Sequence, residues 1–167
     1  MAIIIRPAIP SDAAALLRCM KVIGGQTDNL TFGSEGLPFT EEDEAAFLAS
    51  FSQPGNGVFY VALDDDEIIG SASLSVLPLR MAHRAELGIS ILKEYWGQGI
   101  GSAFTERIVG FARQNGIEII ELQVRCDNTS AIRLYEKFGF QKLCTYPRFF
   151  KIGTQYADFD YMILNLI

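Results

Sequence analysis

The chain of 167 residues has one histidine, one tryptophan and three cysteines, and each scarcity narrows what it can be. Cys19, Cys126 and Cys144 are odd in number, widely spaced and never in a C-x-x-C pair. That argues against a disulfide framework and against structural zinc, so no metal site is expected. No apolar run approaches the roughly 20 residues that span a bilayer. Arg6 and Pro7 also interrupt the opening apolar stretch before it could act as a signal sequence. A soluble, cytoplasmic chain without a membrane partner is expected. Basic residues are few as well: 14 against 20 acidic ones, a net charge of −6, with no basic patch. Nucleic acid is therefore not an expected partner.

Hydrophobic residues make up 49% of the chain, which excludes a disordered reading. The length fits a single domain over residues 1–167, burying roughly 70% of its unfolded surface. Two acidic runs, Glu41-Glu42-Asp43-Glu44 and Asp64-Asp65-Asp66-Glu67, would attract a cationic substrate. Both also have structural readings. The first follows Thr40 and suits the first turn of a helix, and the second suits a turn between strands.

Local patterns give an element order. A short strand over Ile3–Arg6 precedes a helix capped at Ser11-Asp12 and closed by Gly24-Gly25. A second helix runs from Thr40 to about Phe51. Val58–Leu63 and Ile68–Leu77 read as a hairpin, and Arg84–Leu92 as a further strand. Next come a helix to Gln114, an apolar strand over Ile117–Val124, and a short helix opened by Asn128 and closed by Gly139. Phe140–Tyr146 and Tyr156–Leu166 are the last two strands. The order β-α-α-β-β-β-α-β-α-β-β means one mixed sheet covered by helices.

Between the fourth strand and the third helix stands Tyr95-Trp96-Gly97-Gln98-Gly99-Ile100-Gly101-Ser102. Glycines at every second position let a backbone approach a ligand closely, and the helix that follows has unpaired N–H groups at its start. Such a turn suits a pyrophosphate. The spacing does not match the dinucleotide fingerprint G-x-G-x-x-G, and no Lys followed by Ser or Thr makes a Walker-type loop. Further on, Asn128, Ala131, Leu134, Tyr135, Gly139 and Phe140 stand in the register Asn-x-x-Ala-x-x-Leu-Tyr-x-x-x-Gly-Phe.

These two motifs, in this element order, resemble the GCN5-related N-acetyltransferase (GNAT) superfamily. The resemblance spans Ile3 to Ile163 and is weakest across the first two helices. It implies an α/β (α+β) fold with a mostly antiparallel sheet of about seven strands and about four helices. It also implies acetyl-CoA as co-substrate. Trp96, Gly97, Gln98, Gly99, Ile100, Gly101 and Ser102 would hold the pyrophosphate through main-chain N–H groups. Trp96 stands where the family usually has Arg or Gln. Ile89, Ser90 and Ile91 would pair with pantetheine like an added strand, and Asn128 would bond the same arm or cap its helix.

Glu86 lies on a strand that the resemblance makes central. Partial burial there would raise its pKa toward that of a general base for an amine acceptor, and ordering water is the plainer alternative. Tyr135 lies on the apolar side of its helix, as a core aromatic or, as the family implies, the general acid for the departing thiolate. Cys126 is weighed as a nucleophile for a ping-pong reaction and His83 as a base, both against plain structural roles. Arg125 and Arg133 could meet the adenosine phosphates or simply be solvated.

The ending, Arg148 to Met162, looks like the last hairpin of a branch that includes spermidine and protein N-terminal acetyltransferases. The expected reaction moves an acetyl group to a primary amine, of a small molecule or of a peptide or protein, by direct transfer in a ternary complex. A non-catalytic CoA-binding sensor and an acyltransferase using a longer acyl-CoA are the alternatives. Dimers are common in the family, and the last strands offer a homodimer interface.

Overall fold

A computed structural model describes residues 2–167. Seven strands make one sheet: β1 (Ile4–Pro7), β2 (Gly57–Asp64), β3 (Glu67–Val76), β4 (Arg84–Ile91), β5 (Ile119–Arg125), β6 (Gln141–Ile152) and β7 (Gln155–Asn165). Their order across the sheet is β1-β2-β3-β4-β5-β7-β6. Four helices cover it: α1 (Ala13–Gln26), α2 (Glu41–Ser50), α3 (Ile100–Gln114) and α4 (Thr129–Lys137). The expected fold class and element order are both present.

Local chemistry sets the connections. Asp65 and Asp66 take left-handed φ values of 50° and 80°, which Asp tolerates, and close the β2–β3 hairpin in two residues. Thr40 caps α2 reciprocally: its hydroxyl accepts from the Asp43 N–H at 3.1 Å, and the Asp43 carboxylate accepts from the Thr40 N–H at 3.1 Å. Gly24 and Gly25 do not close α1, which continues to Gln26. A Cβ on Gly24 would stand 2.0 Å from the Gly33 carbonyl oxygen, so this glycine serves a close chain crossing, not a stop. β6 continues past Tyr146 to Ile152 across an irregularity in its pairing with β7. There Arg148 adopts φ 54° and its N–H donates to Asp158 Oδ1 at 2.8 Å. A bulge of this kind re-aims the side chains beside it.

Alternation along the strands sorts side chains into two layers. Ala85 and Leu87 of β4, Ile120 and Leu122 of β5, and Met162 of β7 pack with Ile100, Phe104 and Ile108 of α3. On the other face, Leu16, Met20 and Ile23 of α1 and Leu48 of α2 cover Val61 and Ile68. Beyond β3 this second layer reaches only the Ser90 end of β4, where the Ser90 hydroxyl lies 3.4 Å from Met20 Sδ. Glu86, Gly88 and Ser90 of β4 and Glu121, Gln123 and Arg125 of β5 share that face, polar where the first face is apolar.

The entry to α1 is tied by charge. Asp12, largely buried, accepts two bonds from the Arg6 guanidinium at 2.7 and 2.9 Å and one from the Ile9 N–H at 2.8 Å. The Arg6 bonds hold its carboxyl below the ordinary carboxylate range. A lowered pKa adds stability that is complete above the unfolded value and is lost as pH falls through the folded one. Asp12→Asn is therefore expected to cost about 1–3 kcal/mol in urea unfolding at pH 7. The gap from wild type should close on acidification below about pH 4. A gap that persists unchanged in acid would overturn the assignment.

Candidate active site

The site begins with a break in the sheet. β4 and β5 run parallel and pair only at Arg84, Ala85 and Glu86, opposite Ile119, Ile120 and Glu121. Past Glu86, β4 stays with β3 to Ile91, and β5 stays with β7 to Arg125. The Leu77 N–H bonds the Arg84 carbonyl and the Leu92 N–H bonds the Ile69 carbonyl. Even-numbered residues of β4 thus turn their main chain toward β3, and odd-numbered ones toward β5. Ile89 and Ile91 face the break without a strand beside them. Ser90 does not: its main chain belongs to the β3 ladder, and its hydroxyl lies 3.3 Å from Ser71 Oγ and 3.4 Å from Met20 Sδ. Of the three residues expected to pair with pantetheine, alternation leaves Ile89 and Ile91 facing the gap.

The glycine turn closes one end of this gap. Gly97 and Gly99 have φ of 72° and 82°, and a Cβ at either would meet nothing within 4 Å, so their backbone is open to a visitor. The first N–H of α3 to find a carbonyl is that of Ala103, which bonds Gly99. The N–H groups of Gly97, Gln98, Gly99, Ile100, Gly101 and Ser102 take no protein acceptor among the described residues, and no side chain caps the helix. Six free donors at the positive end of a helix suit an anion. Trp96 staples the turn to β4, its indole N–H donating to the Ile91 carbonyl at 2.8 Å. Gln98 points back, its amide donating to the Glu94 carbonyl at 3.0 Å, and offers only its main chain.

α4 supplies the adjoining wall. Asn128 Oδ1 accepts from the Ala131 N–H at 3.4 Å, which makes it the N-cap, and Asn128 also borders the cavity. Cap and ligand contact are thus compatible in one residue. Tyr135 is buried against Phe140, ring centroids 5.6 Å apart, and reaches the same cavity. Burial pushes its hydroxyl up to about 12, so it keeps its proton at neutral pH.

Across the break the walls are polar, then aromatic. Glu86 borders the cavity but is exposed, which corrects the expectation of partial burial. The layer of α1 and α2 does not extend to this end of β4, so the carboxylate stays exposed. The Gln123 amide donates to it at 3.5 Å. The buried carboxylate is its cross-strand neighbour Glu121, held by Arg84 and by the Tyr161 hydroxyl, which donates at 2.6 Å. Burial first, and then this bond, push the Tyr161 hydroxyl up to about 12. Two groups of rings stand further out. Phe47, Phe51 and Phe59 meet at 5.2–6.1 Å, and Phe149, Phe150 and Phe159 at 4.3–5.6 Å. The bulge in β6 turns Phe149 and Phe150 into the cavity. Sequence reasoning did not single out these rings, Glu121, Tyr161 or the buried Glu44 of α2.

Gap, glycine turn and aromatic walls are one cavity of about 1150 Å3 that passes from one face of the sheet to the other between β4 and β5. Arg125 borders it, already paired with Asp127 at 2.9 Å. Arg133, His83 and Cys126 do not border it. The Cys126 thiol instead donates to Asp160 Oδ1 at 3.2 Å, and desolvation together with that carboxylate pushes it up to about 11.

This geometry has relatives. The sequence model of the acetyltransferase (GNAT) family matches residues 26–140, more than half of the chain, and the chain belongs to that family. The N-alpha-acetyltransferase 30 of Schizosaccharomyces pombe is 33% identical over 111 residues, 62% of this chain and 69% of that protein. The chain spans from about half to nine-tenths of the length of curated relatives it matches. The crystal structure of a GNAT-family acetyltransferase from Streptococcus pneumoniae superposes with a TM-score of 0.95 at 27% identity, covering 99% of this chain and 100% of that one. The yncA structure from Salmonella typhimurium, which holds its cofactor acetyl-CoA, has a TM-score of 0.86 at 20% identity, covering 100% of this chain and 95% of that one. At that identity the likeness is one of fold. No helix among the described residues is long and apolar enough to cross a membrane.

A thiol raised to about 11 holds its proton through neutral pH and reacts slowly with electrophiles. Iodoacetamide labelling of Cys126, followed by peptide mass mapping, should stay slow at pH 8 and accelerate only near pH 11. A midpoint at the ordinary thiol value of about 8.5 would return Cys126 to the list of nucleophiles.

Proposed function

We propose that the protein is an acetyl-CoA-dependent N-acetyltransferase that acetylates a primary amine by direct transfer in a ternary complex. The observation that carries this reading is the single cavity through the split sheet. Free N–H donors and Tyr135 stand on one side of it, and Glu86 on the other. Acetyl-CoA, when bound, supplies an activated acetyl group as a thioester. The residues present fit it: the N–H row from Gly97 to Ser102 would hold the pyrophosphate, and the main chain of Ile89 with the N–H of Ile91 would pair with the pantetheine arm.

Glu86, wet and open to the acceptor side, takes the proton of the incoming ammonium directly or through a water, freeing the nitrogen lone pair to attack the carbonyl carbon. The Ile89 N–H is free to polarise the carbonyl oxygen. As the C–N bond forms and the C–S bond breaks, the nitrogen gives its second proton to water, Tyr135 donates its proton to the leaving thiolate, and the phenolate is reprotonated from solvent. The apolar surroundings that hold the phenol protonated also raise the proton affinity of a thiolate beside it. Holding both reactants in one gap supplies much of the remaining acceleration.

Tyr135→Phe should lower kcat about 100-fold or more while the CoA Kd, by calorimetry, moves less than about threefold. An unchanged kcat would remove Tyr135 as the acid. Glu86→Gln should lower kcat/KM for the amine by a similar factor without weakening CoA binding. CoA release from acetyl-CoA across amines, amino acids and short peptides tests the reading itself. Tight CoA binding with no turnover on any acceptor would favour a CoA sensor.

A further inference from the structure

Glu44 sits on the core-facing stripe of α2, one turn before Leu48, and its side chain is 3% exposed. Among the described residues its carboxylate accepts no hydrogen bond and meets no cation, yet it borders the acceptor half of the cavity. Desolvation raises its pKa. Its side chain is recessed while its oxygens reach the cavity wall, so a ligand that brings a cation there would give the carboxylate the partner it lacks.

The rest of this half of the cavity fits the same ligand. Asp43, Glu44 and Glu86 border it, whereas the one cation there among the described residues, Arg125, is already paired with Asp127. A carboxylate on the acceptor finds nothing to receive it. The same cavity is lined by two groups of rings, Phe47 with Phe59, and Phe149, Phe150 and Phe159. Such walls take methylene groups by area and an ammonium by its attraction to the ring face.

Resting on the acetyltransferase reading above, we propose that the acceptor is a diamine with an apolar spacer. One amine is acetylated beside Glu86, the spacer lies along the phenylalanine rings, and the second ammonium is received by Glu44. Glu44 touches no reacting atom; it sets which amine binds and how far it reaches.

Three probes of equal length isolate the far end: hexamethylenediamine, hexylamine and aminocaproate. Wild type should show kcat/KM about tenfold or more higher for the diamine than for hexylamine, and no turnover of aminocaproate. Glu44→Gln should bring the diamine-to-hexylamine ratio to about one. It should also melt at or above the wild-type temperature, because a recessed carboxylate without a partner is gone; a lower melting temperature would mark Glu44 as structural. A ratio that survives Glu44→Gln, or a preference for hexylamine or aminocaproate, overturns the proposal. If no amine is acetylated although CoA binds, the transferase reading fails, and calorimetry on the CoA-bound protein still decides this one. Diamine binding about tenfold tighter than hexylamine in wild type supports it, and equal or absent binding overturns it. Should Glu44→Gln fail to fold, the wild-type binding ratio alone carries the decision.

Discussion

The whole arrangement depends on where β4 and β5 stop pairing. Both strands go on after Glu86 and Glu121, each held on its far side by an antiparallel neighbour, so neither can bend back to close the gap. A sheet interior with unpaired main-chain groups is expensive unless something else satisfies them. The main chain of Ile89 and the uncapped start of α3 open onto the same cavity. Two sets of unmet donors on one wall mark it as made for a guest that brings acceptors. The same break joins the two faces of the sheet, which other folds keep apart.

Electrostatics divide the two sides by residue type. On the α3–α4 side the donors are main-chain N–H groups, and Tyr135 is a phenol that burial keeps protonated. The α1–α2 side has carboxylates, exposed at Asp43 and Glu86 and recessed at Glu44. Glu121, though buried, is satisfied by Arg84 and Tyr161, so it stiffens the join between β4 and β5 and attracts nothing from the cavity. Buried charge with partners reads as framework. Recessed charge without partners, as at Glu44, reads as a demand left for a ligand.

Local chemistry was legible in the sequence. Glycines at 97 and 99, the cap at Asn128 and the stripe of α3 each act through neighbours within one turn, and their positions follow from spacing. What depended on distant segments was not legible. Gly24 and Gly25 read as a helix stop because the crossing with Gly33 is visible only in the fold. Glu86 read as half-buried because a central strand has two covered faces, and nothing in the chain announces that the cover does not extend to its end of β4. Glu44 lay inside an acidic run that, as a first helical turn, needed no further explanation. The phenylalanines of β6 and β7 enter the cavity by a bulge at Arg148, a residue type that does not advertise a left-handed φ.

Direct transfer follows more naturally from this layout than an acyl-enzyme route. A covalent intermediate needs a nucleophile inside the cavity with a base beside it. Cys19 is buried in the α1 layer with its thiol pushed up to about 12, and Cys126 lies outside the cavity, bonded to Asp160. The single histidine sits before β4, at the paired end of the strands, away from the gap. None of these three groups is placed to store the acetyl, which supports the direct transfer proposed above. A cavity open to both faces of the sheet lets the two reactants enter from opposite sides.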